Sequence, residues 1–478
     1  MPTLILRAPK TFESGFARIR AELDVPKAFP DAVLAESEAA MSATPADDRL
    51  DARHIPFVAI DPPGATDLDQ AFAAERLGDG YRVFYAIADP GDFMNPGGAL
   101  DLEARNRGST LYSPDTRTPL HPPVISEDRA SLLAGGDKPA LLWTIDLDAD
   151  ALPVDWRLER ATVHTRAAIS YAEGQAKIDG GLDRDDPLTL LAEIGPRRQA
   201  REAERGGVSI NLPAQEIVDH EGSYSLEFDK TIPIEGWNAQ ISLLTGIVAG
   251  QTMLDAGVGV LRTLPPPYDD AIDRLRRTAS ALGLDWADGR SYADFVRNLQ
   301  PDTPACNAFL LQATRTLRGA GYIGFSGGDL PTHTEHGAIA SVYSHVTAPL
   351  RRLVDRFGNE ILLAIFADTE PPAWAVEALE DLPSLMGRAR QRESALERAM
   401  IDFAEAVVLE HSVGEVFTGH VVDLDRRRTA AVVQIAEPAI VASIPQTDRR
   451  LAERLDLRLH AVDVGERKVS FLPTTGEH

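Results

Sequence analysis

Two kinds of apolar spacing divide the chain into helical and strand-rich stretches. Residues 12–24 and 30–42 carry apolar side chains at helical intervals, with prolines between the two runs. From residue 51 to about residue 163 the apolar runs are short and separated by turns, which predicts strands, whereas residues 186–411 return to helical spacing. Five short alternating runs after Gly414 predict a small barrel of the OB type. Together these patterns predict an α+β fold.

Individual elements follow from the same spacing. Phe57–Ile60 has the continuous apolar run of a buried strand, and a hairpin strand follows at 81–87. Helices are predicted at 188–205, 237–256, 268–282, 291–299, 350–366 and 374–411. Barrel strands are predicted at 416–424, 429–435, 440–444, 457–462 and 468–472. We therefore expect three units: a helical segment of residues 1–50, a central unit of residues 51–411 and a barrel of residues 412–478.

Composition sets the broad class of the protein. A chain of 478 residues with 44% hydrophobic residues can build about three domains around sizeable cores. The single cysteine, Cys306, excludes an intrachain disulfide and a cysteine zinc cluster. The N-terminal residues lack the apolar region of a signal peptide, and no apolar run is long enough to span a bilayer. We expect a soluble, cytoplasmic monomer with no membrane partner.

The net charge of −25 argues against general affinity for nucleic acid. A protein of this charge that binds RNA must place the phosphates in a local basic channel. An acidic exterior around that channel would suppress loose binding of RNA to the surface.

Three aspartates lie where the first buried strand breaks into a loop. Asp61 ends the apolar run, and Asp67 and Asp69 follow two residues apart, so that in extended chain they point the same way. Carboxylates held close together repel one another, and a divalent cation removes the repulsion. Their hard oxygen atoms favour Mg²⁺ or Mn²⁺ over zinc. The spacing alone leaves a metal site and a solvated acidic turn as equal alternatives.

Further segments carry a resemblance to a known family. Residues 61–69 read Asp-Pro-Pro-Gly-Ala-Thr-Asp-Leu-Asp, and residues 344–352 read Ser-His-Val-Thr-Ala-Pro-Leu-Arg-Arg. Between them lie Leu-Asp-Leu-Glu-Ala-Arg-Asn-Arg-Gly-Ser-Thr-Leu-Tyr-Ser-Pro-Asp at 100–115 and Pro-Ile-Glu-Gly-Trp-Asn at 233–238. In this order the segments resemble the RNB catalytic domain of the ribonuclease II/ribonuclease R family, over about residues 50–400. The resemblance implies a mixed sheet surrounded by helices.

The flanking units resemble the family unequally. The barrel after Gly414 resembles the C-terminal OB-type RNA-binding domain, where Arg426, Arg427 and Arg428 would either meet phosphates or only solubilise a hairpin. Relatives commonly carry one or two cold-shock-like barrels at the N-terminus, and fifty residues of helical pattern cannot supply two of them. A helical cap on the nuclease core is therefore favoured over an independent RNA-binding module.

The resemblance implies a metal site and a catalytic group. Asp61, Asp67 and Asp69 match three of the family's four metal-binding aspartates, and the fourth position is Gln70, whose amide oxygen can coordinate but brings no charge. Mg²⁺ is the expected ion, with Mn²⁺ as a substitute. Asp69, Asp67 and Arg351 are the expected catalytic residues, and Arg351 would clamp the scissile phosphate.

The expected RNA contacts also come from the resemblance. Tyr112 matches the tyrosine that packs on the 3′-terminal nucleotide, whereas the family's second stacking aromatic is replaced by Ile210. Glu235 matches an acidic position near the metal site, although a glutamate there would equally serve the helix dipole. Arg352 and His345 are further RNA-binding candidates, with a local hydrogen bond as the alternative for His345.

Arg351 has a structural alternative, an ion pair with Asp355 at the start of a helix. If Arg351 were held in that way, its guanidinium would be unavailable to a phosphate. The spacing of the two residues permits both interpretations.

The implied activity is that of a metal-dependent 3′→5′ exoribonuclease that degrades single-stranded RNA to nucleoside 5′-monophosphates in RNA turnover. Gln70 and the missing barrels favour a catalytically weakened RNA-binding regulator instead. The acidic composition favours a Mg²⁺-dependent hydrolase of a small phosphorylated substrate, against which the C-terminal barrel counts. The retained aspartates, Tyr112 and Arg351 favour the exoribonuclease.

Overall fold

The structure, a computed structural model, describes residues 10–42, 49–210, 215–220, 223–228, 232–299, 303–425, 429–435, 439–445 and 449–474. The three arginines of the first barrel hairpin, Arg426, Arg427 and Arg428, lie outside these residues.

Helices form wherever helical spacing predicts them, with one correction, and two more, Ala99–Arg107 and Tyr171–Gly180, lie outside the stretches predicted to be helical. In the described ranges they are α1 (Lys10–Glu22), α2 (Asp31–Met41), α3 (Ala99–Arg107), α4 (Tyr171–Gly180), α5 (Pro187–Arg205), α6 (Pro233–Ala256), α7 (Asp269–Ala281), α8 (Tyr292–Arg297), α9 (Pro304–Ala313), α10 (Leu353–Phe366), α11 (Ala373–Glu377) and α12 (Leu382–Leu409). The single helix predicted at 374–411 is wrong, because α11 and α12 are separated by a 3₁₀ turn, Ala378–Glu380. Pro383 has no N–H to donate, so it is tolerated only in the first turn of a helix, where α12 places it.

Strands fill the predicted strand-rich stretch and the barrel, and six further strands that the structure describes between residues 215 and 342 interrupt the stretch predicted to be helical. They are β1 (Leu50–Asp51), β2 (Phe57–Ile60), β3 (Gln70–Leu77), β4 (Gly80–Ala88), β5 (Leu111–Tyr112), β6 (Arg117–Thr118), β7 (Asp137–Leu147), β8 (Pro153–Ile169), β9 (Gln215–His220), β10 (Ser223–Phe228), β11 (Gly259–Thr263), β12 (Gly321–Phe325), β13 (Glu335–His336), β14 (Ser341–Val342), β15 (Val416–Asp425), β16 (Ala430–Ile435), β17 (Ile440–Pro445), β18 (Arg454–Asp463) and β19 (Lys468–Pro473). In four of the five barrel strands, both the first and the last residue lie within two residues of the prediction. The exception, β18, begins three residues earlier than predicted.

The central sheet is mixed and closes on itself. Strand β8 pairs antiparallel with β7 along its first part and parallel with β2 along its last part. The remaining pairs, β2–β3, β3–β4 and β4–β7, are antiparallel. The ring is therefore β8–β2–β3–β4–β7, with β1 added beside β8.

Both faces of this sheet are covered. Along β4, Tyr85 and Ile87 belong to a core shared with α5 and α6, whereas Ala86 and Ala88 belong to a second core on the opposite face. Successive side chains of a strand point to opposite faces, so a strand buried on both faces reads as a nearly continuous apolar run. The mixed sheet surrounded by helices is thus confirmed.

The C-terminal unit is a nearly closed barrel of five antiparallel strands in the order β17–β16–β15–β18–β19. Residues alternate between buried and exposed along β17, as a strand with one face on a core requires. The barrel core also includes Phe403 and Met400 of α12, so the long helix links the central unit to the barrel.

The two N-terminal helices cap the core. Phe16 of α1 is fully buried with its ring centroid 5.4 Å from that of Phe403 in edge-to-face contact. A Cβ atom at Gly15 would lie 2.0 Å from Phe403 Cζ, so only glycine allows α1 to approach α12 this closely. Glu36 of α2 accepts a hydrogen bond from the backbone N–H of Leu100 at the start of α3, 3.0 Å away. In the described part of the chain no helix is both long and apolar enough to cross a membrane.

Candidate active site

A cavity of about 260 Å³ opens beside the loop that joins β2 to β3. Because these strands are antiparallel neighbours, the loop brings Asp61, which follows β2, close to Asp69, which precedes β3. The walls of the cavity are formed by Asp61, Pro62, Gly64, Ala65, Asp67, Asp69, Tyr112, Ser113, Pro114, Asp115, Thr116, Arg117 and Arg351. The three predicted aspartates, Tyr112 and Arg351 therefore share one site.

Asp69 is the most deeply buried of the aspartates, with 3% of its surface exposed. Its Oδ1 accepts a hydrogen bond from the backbone N–H of Leu350 at 2.8 Å, and Arg351 Nε lies 3.2 Å from its Oδ2 as an ion pair. Burial raises the pKa of Asp69 to about 8, although the Arg351 charge opposes the rise. A cation placed beside Asp69 would favour its ionised form.

Asp67 is held through both of its oxygen atoms. Arg117 Nη1 donates to Oδ1 at 2.5 Å, and the Tyr112 hydroxyl donates to Oδ2 at 3.2 Å. Burial raises the pKa of Asp67 and the Arg117 guanidinium opposes that rise. Arg117 also donates to Glu127, from Nε to Oε1 at 3.1 Å, and its Nη2 lies 2.9 Å from Oε2.

Asp61 differs from the other two aspartates because its carboxylate has no hydrogen bond or ion pair with any residue that the structure describes. Burial is the main cause that raises the pKa of Asp61 to about 6, and the Asp67 charge adds to the rise. A half-buried carboxylate without a partner is costly. The donor set, three carboxylates on one cavity wall, therefore fits a hard divalent cation in its chemistry.

Arginines pair with two of the three carboxylates. No group of three or more Asp, Glu, His or Cys side chains in the described ranges converges tightly enough, as placed, to hold one ion. Arg117 forms an ion pair with Asp67, and Arg351 forms one with Asp69. An ion held by all three carboxylates would lie next to both guanidinium groups.

Gln70, predicted as the fourth metal ligand, lies elsewhere. Its amide N–H donates to the backbone oxygen of Thr347 at 2.6 Å, and its Oε1 accepts from the Tyr85 hydroxyl at 2.6 Å. It is not among the residues of the cavity wall. Adjacent residues entering a strand point to opposite faces, so Gln70 faces away from the side on which Asp69 lies. The geometry argues against the predicted metal role and gives Gln70 a structural one.

Arg352 takes the ion pair that was the alternative for Arg351. Its Nε and Nη2 donate to the Asp355 carboxylate at 2.9 and 2.8 Å, and Asp355 is fully buried. Arg352 is itself extended and bridges to Ser109, whereas Arg351 lies in the hydrogen-bonded turn before it, so the two side chains leave the backbone in different directions. Arg351 is thereby directed to the cavity, whereas Arg352 is committed to the fold and does not line the cavity.

The remaining predicted RNA contacts are not brought to the cavity wall. His345 Nδ1 is hydrogen-bonded to the Tyr322 hydroxyl at 2.7 Å, and burial together with Arg352 holds the pKa of His345 well below its ordinary value. Glu235 lies in the first turn of α6 and accepts from the backbone N–H of Ile232 at 3.3 Å, as the dipole alternative requires. Ile210 packs against a separate helical core.

Arg117 is the site residue that sequence reasoning missed. It lies on β6 directly opposite Tyr112 of β5, because these two-residue strands form a hairpin. The available signal was Pro114 and Asp115, typical turn residues that lie two and three positions after Tyr112. A turn there places the residue at 117 beside the tyrosine.

Comparison with known proteins assigns this fold and site to a family. The RNB domain profile matches residues 49–368, and that of the RNase II-type exonuclease C-terminal S1 domain matches residues 415–474. A closed mixed sheet bearing an acidic cavity, followed by a five-stranded barrel, is thus the architecture of an RNB nuclease homologue. The chain belongs to the RNB family of ribonuclease II/ribonuclease R.

Curated relatives include eukaryotic and bacterial exoribonucleases. The chain is 31% identical over 337 residues to exosome complex exonuclease RRP44 homolog A of Arabidopsis thaliana, covering 66% of this chain and 35% of that protein. It is 24% identical over 502 aligned positions to ribonuclease R of Escherichia coli (strain K12), covering 94% of this chain and 60% of that protein. The chain therefore spans about a third to three fifths of the length of these relatives.

Solved structures share the fold at lower identity. Mycoplasma genitalium RNase R in complex with ribose-methylated single-stranded RNA superposes with a TM-score of 0.84 at 17% identity, covering 97% of this chain and 78% of that chain. Yeast Ssd1, a pseudonuclease, superposes with a TM-score of 0.70 at 16% identity, covering 96% of this chain and 58% of that chain. The fold thus occurs both in a nuclease and in a protein described as a pseudonuclease, so function has to be argued from the site.

Proposed function

We propose that this protein is a Mg²⁺-dependent 3′→5′ exoribonuclease that hydrolyses single-stranded RNA to nucleoside 5′-monophosphates. The observation that carries the proposal is the convergence of Asp61, Asp67, Asp69, Tyr112 and Arg351 on one cavity. Membership of the RNB family supports the reaction class.

The three aspartates would hold the ion. Bound Mg²⁺ supplies activation of a water molecule and stabilisation of the leaving oxygen. Asp61 offers a carboxylate with no competing partner in the described part of the chain, and Asp69 offers one fixed by the N–H of Leu350. A fixed carboxylate needs no reorganisation when the charge of the transition state develops.

Arg351 is suited to the scissile phosphate. Its side chain is 39% exposed at the cavity. Its Nε lies close enough to Asp69 for an ion pair, but it has no hydrogen-bond partner among the described residues. A guanidinium can donate two parallel hydrogen bonds to phosphate oxygens and offset charge that grows in the transition state. Arg351 and Arg117 are the basic residues of a cavity wall that also carries Asp61, Asp67, Asp69 and Asp115, so a bound cation would add to the positive charge available to a phosphate.

Tyr112 is placed to hold the terminal base. Its ring forms part of the cavity wall, while its hydroxyl is anchored on Asp67. Stacking on an aromatic ring is worth about 1–3 kcal/mol per base and tolerates every base. The ring would therefore position a 3′ end over the aspartates without sequence preference.

The test is a time course with 5′-labelled single-stranded RNA and Mg²⁺, comparing the wild-type protein with Asp69→Asn. We expect a ladder that shortens from the 3′ end for the wild type, and no cleavage but unchanged RNA affinity for Asp69→Asn. Loss of one charge costs transition-state stabilisation more than ground-state binding of phosphate. Full activity of Asp69→Asn would remove that residue from the mechanism.

A second candidate function is that of an RNA-binding regulator with weakened catalysis. It is favoured by Gln70, which carries no charge and is turned to Thr347, and by the arginines that occupy Asp67 and Asp69. In the same experiment this function gives RNA binding without a ladder at any Mg²⁺ concentration.

A further inference from the structure

Arg117 lies between two carboxylates. On one side it donates to Asp67, and on the other it donates to Glu127, while Nη2 also contacts the Thr66 hydroxyl. Its side chain is 24% exposed and those of Asp67 and Glu127 are 11% and 28% exposed. If Arg117 lost its contact with Asp67, Glu127 would remain as an acceptor for its guanidinium.

The oxygen atoms that Arg117 and Tyr112 occupy are those that a metal ion needs. Both oxygens of Asp67 accept hydrogen bonds, one from each of these residues, whereas Asp61 has no such partner in the described part of the chain. An ion held jointly by Asp61, Asp67 and Asp69 would share the Asp67 carboxylate with the Arg117 guanidinium. Two cations on one carboxylate repel each other, so each weakens the hold of the other on Asp67.

We propose that Arg117 competes with the divalent cation for Asp67, and that Glu127, which already pairs with Arg117, keeps the guanidinium when the cation enters. Arg117 thereby sets the metal concentration at which the site fills. This inference deepens the proposed function and rests on it.

The backbone around Arg117 is fixed, so the exchange involves its side chain. Arg117 and Tyr112 pair across the β5–β6 hairpin, and the turn is closed by a hydrogen bond from Ser113 N–H to the Thr116 oxygen at 2.8 Å. Arg20 of α1 donates twice to Asp115 in the same turn, at 2.5 and 2.8 Å. Side-chain rotation between two acceptors needs no movement of this hairpin.

The experiment measures Mn²⁺ binding to the RNA-free protein by the electron paramagnetic resonance signal of free Mn²⁺. The Asp61→Asn protein gives the background from other acidic groups, which is subtracted. We expect Arg117→Gln to lower the half-saturating Mn²⁺ concentration by about tenfold, since a partly buried charge pair no longer opposes the ion. We expect Glu127→Gln to raise it by about threefold, since the guanidinium then has only Asp67 as a charged acceptor.

Arg53→Gln is the matched control. It removes an arginine charge from an exposed pair with Asp51 and Asp137, outside the cavity, and we expect no change in site-specific Mn²⁺ binding. Thermal unfolding of each variant shows whether it is folded. If Arg117→Gln does not fold, Glu127→Gln alone decides, because it leaves the contact between Arg117 and Asp67 in place.

A purely structural role of Arg117 would not shift the half-saturating Mn²⁺ concentration in opposite directions in Arg117→Gln and Glu127→Gln. Unchanged or weaker Mn²⁺ binding in Arg117→Gln, or tighter binding in Glu127→Gln, overturns the inference. If the wild type degrades RNA in the ladder assay but these variants bind Mn²⁺ alike, only the inference fails. If the wild type binds Mn²⁺ as expected but cleaves no RNA, the proposed function fails and the competition stands.

Discussion

Replacing Gln70 by glutamate distinguishes a structural role of this residue from a role as a metal ligand. The substitution keeps the length of the side chain but exchanges the amide N–H₂ for an oxygen atom. The hydrogen bond from Gln70 to the Thr347 oxygen is then lost, whereas the Tyr85 hydroxyl keeps an acceptor. A residue that acts as a structural tie loses stability, and a residue that acts as a metal ligand gains affinity for the ion.

The structure gives the size of the expected loss. Thr347 is 2% exposed, so its oxygen atom is left without a donor in a buried position, which costs about 1–3 kcal/mol. The introduced carboxyl faces that oxygen, and burial with this repulsion raises its pKa. Because the folded protein then holds the proton more tightly than the unfolded chain, the loss is small near pH 4 and grows as the pH rises through the folded pKa. When protonated, the carboxyl can donate to Thr347 as the amide does.

The assay is urea unfolding of Gln70→Glu and wild type at several values between about pH 4 and pH 8, with Mg²⁺ half-saturation measured in parallel. Gln251→Glu is the matched control, because Gln251 donates to Asp255 on an exposed helix face and the change there should cost about 0.5 kcal/mol or less. We expect a deficit of about 2 kcal/mol at pH 8 for Gln70→Glu. Equal stability at every pH, together with a lower Mg²⁺ requirement, would refute the structural role and restore Gln70 as a ligand position.

Three further predictions test other parts of the site. Tyr112→Ala should lengthen the final oligonucleotide while long RNA is degraded at a similar initial rate, because stacking of about 1–3 kcal/mol matters most where other contacts are few; an unchanged end product rules out the clamp. Metal affinity should rise by roughly a hundredfold from pH 6 to pH 8, because the pKa of Asp69 is about 8, that of Asp61 is about 6, and the bound ion displaces both protons. Calorimetry in two buffers of different ionisation enthalpy checks this, and affinity that is independent of pH contradicts it. Asp355→Asn should cost about 3 kcal/mol in unfolding free energy, because it leaves Arg352 without its carboxylate; a loss below about 0.5 kcal/mol in urea unfolding would contradict the assignment.

The sequence predicted the acidic loop well because the controlling contacts are local. Strands β2 and β3 are joined by a short connection and pair with one another, so Asp61 and Asp69 come together wherever this hairpin forms. The barrel strands were likewise predicted from alternation alone, since one face of each is buried.

The choice between Arg351 and Arg352 was not predictable from spacing. It depends on the turn that ends at Arg352 and on the bridge between Arg352 and Ser109, a contact between segments far apart in sequence. The turn separates the two side chains, so that Arg351 pairs with Asp69 and Arg352 pairs with Asp355.

The prediction that Gln70 is a metal ligand did not use a rule that was available. If Asp67 and Asp69 point the same way because they are two residues apart, the next residue must point the other way. Arg117 was missed for a different reason, since its strand has only two residues and gives no periodicity to detect.

The most direct test of the central claim compares a linear single-stranded RNA with the same RNA closed into a circle, each incubated with the protein and Mg²⁺. A site that receives a free 3′ end under Tyr112 and hydrolyses at the aspartates should release nucleoside 5′-monophosphates from the linear RNA and leave the circle intact. Asp69→Asn should leave both intact. Cleavage of the circle at a comparable rate, or no release of nucleotides from the linear RNA at any Mg²⁺ concentration, would contradict the account.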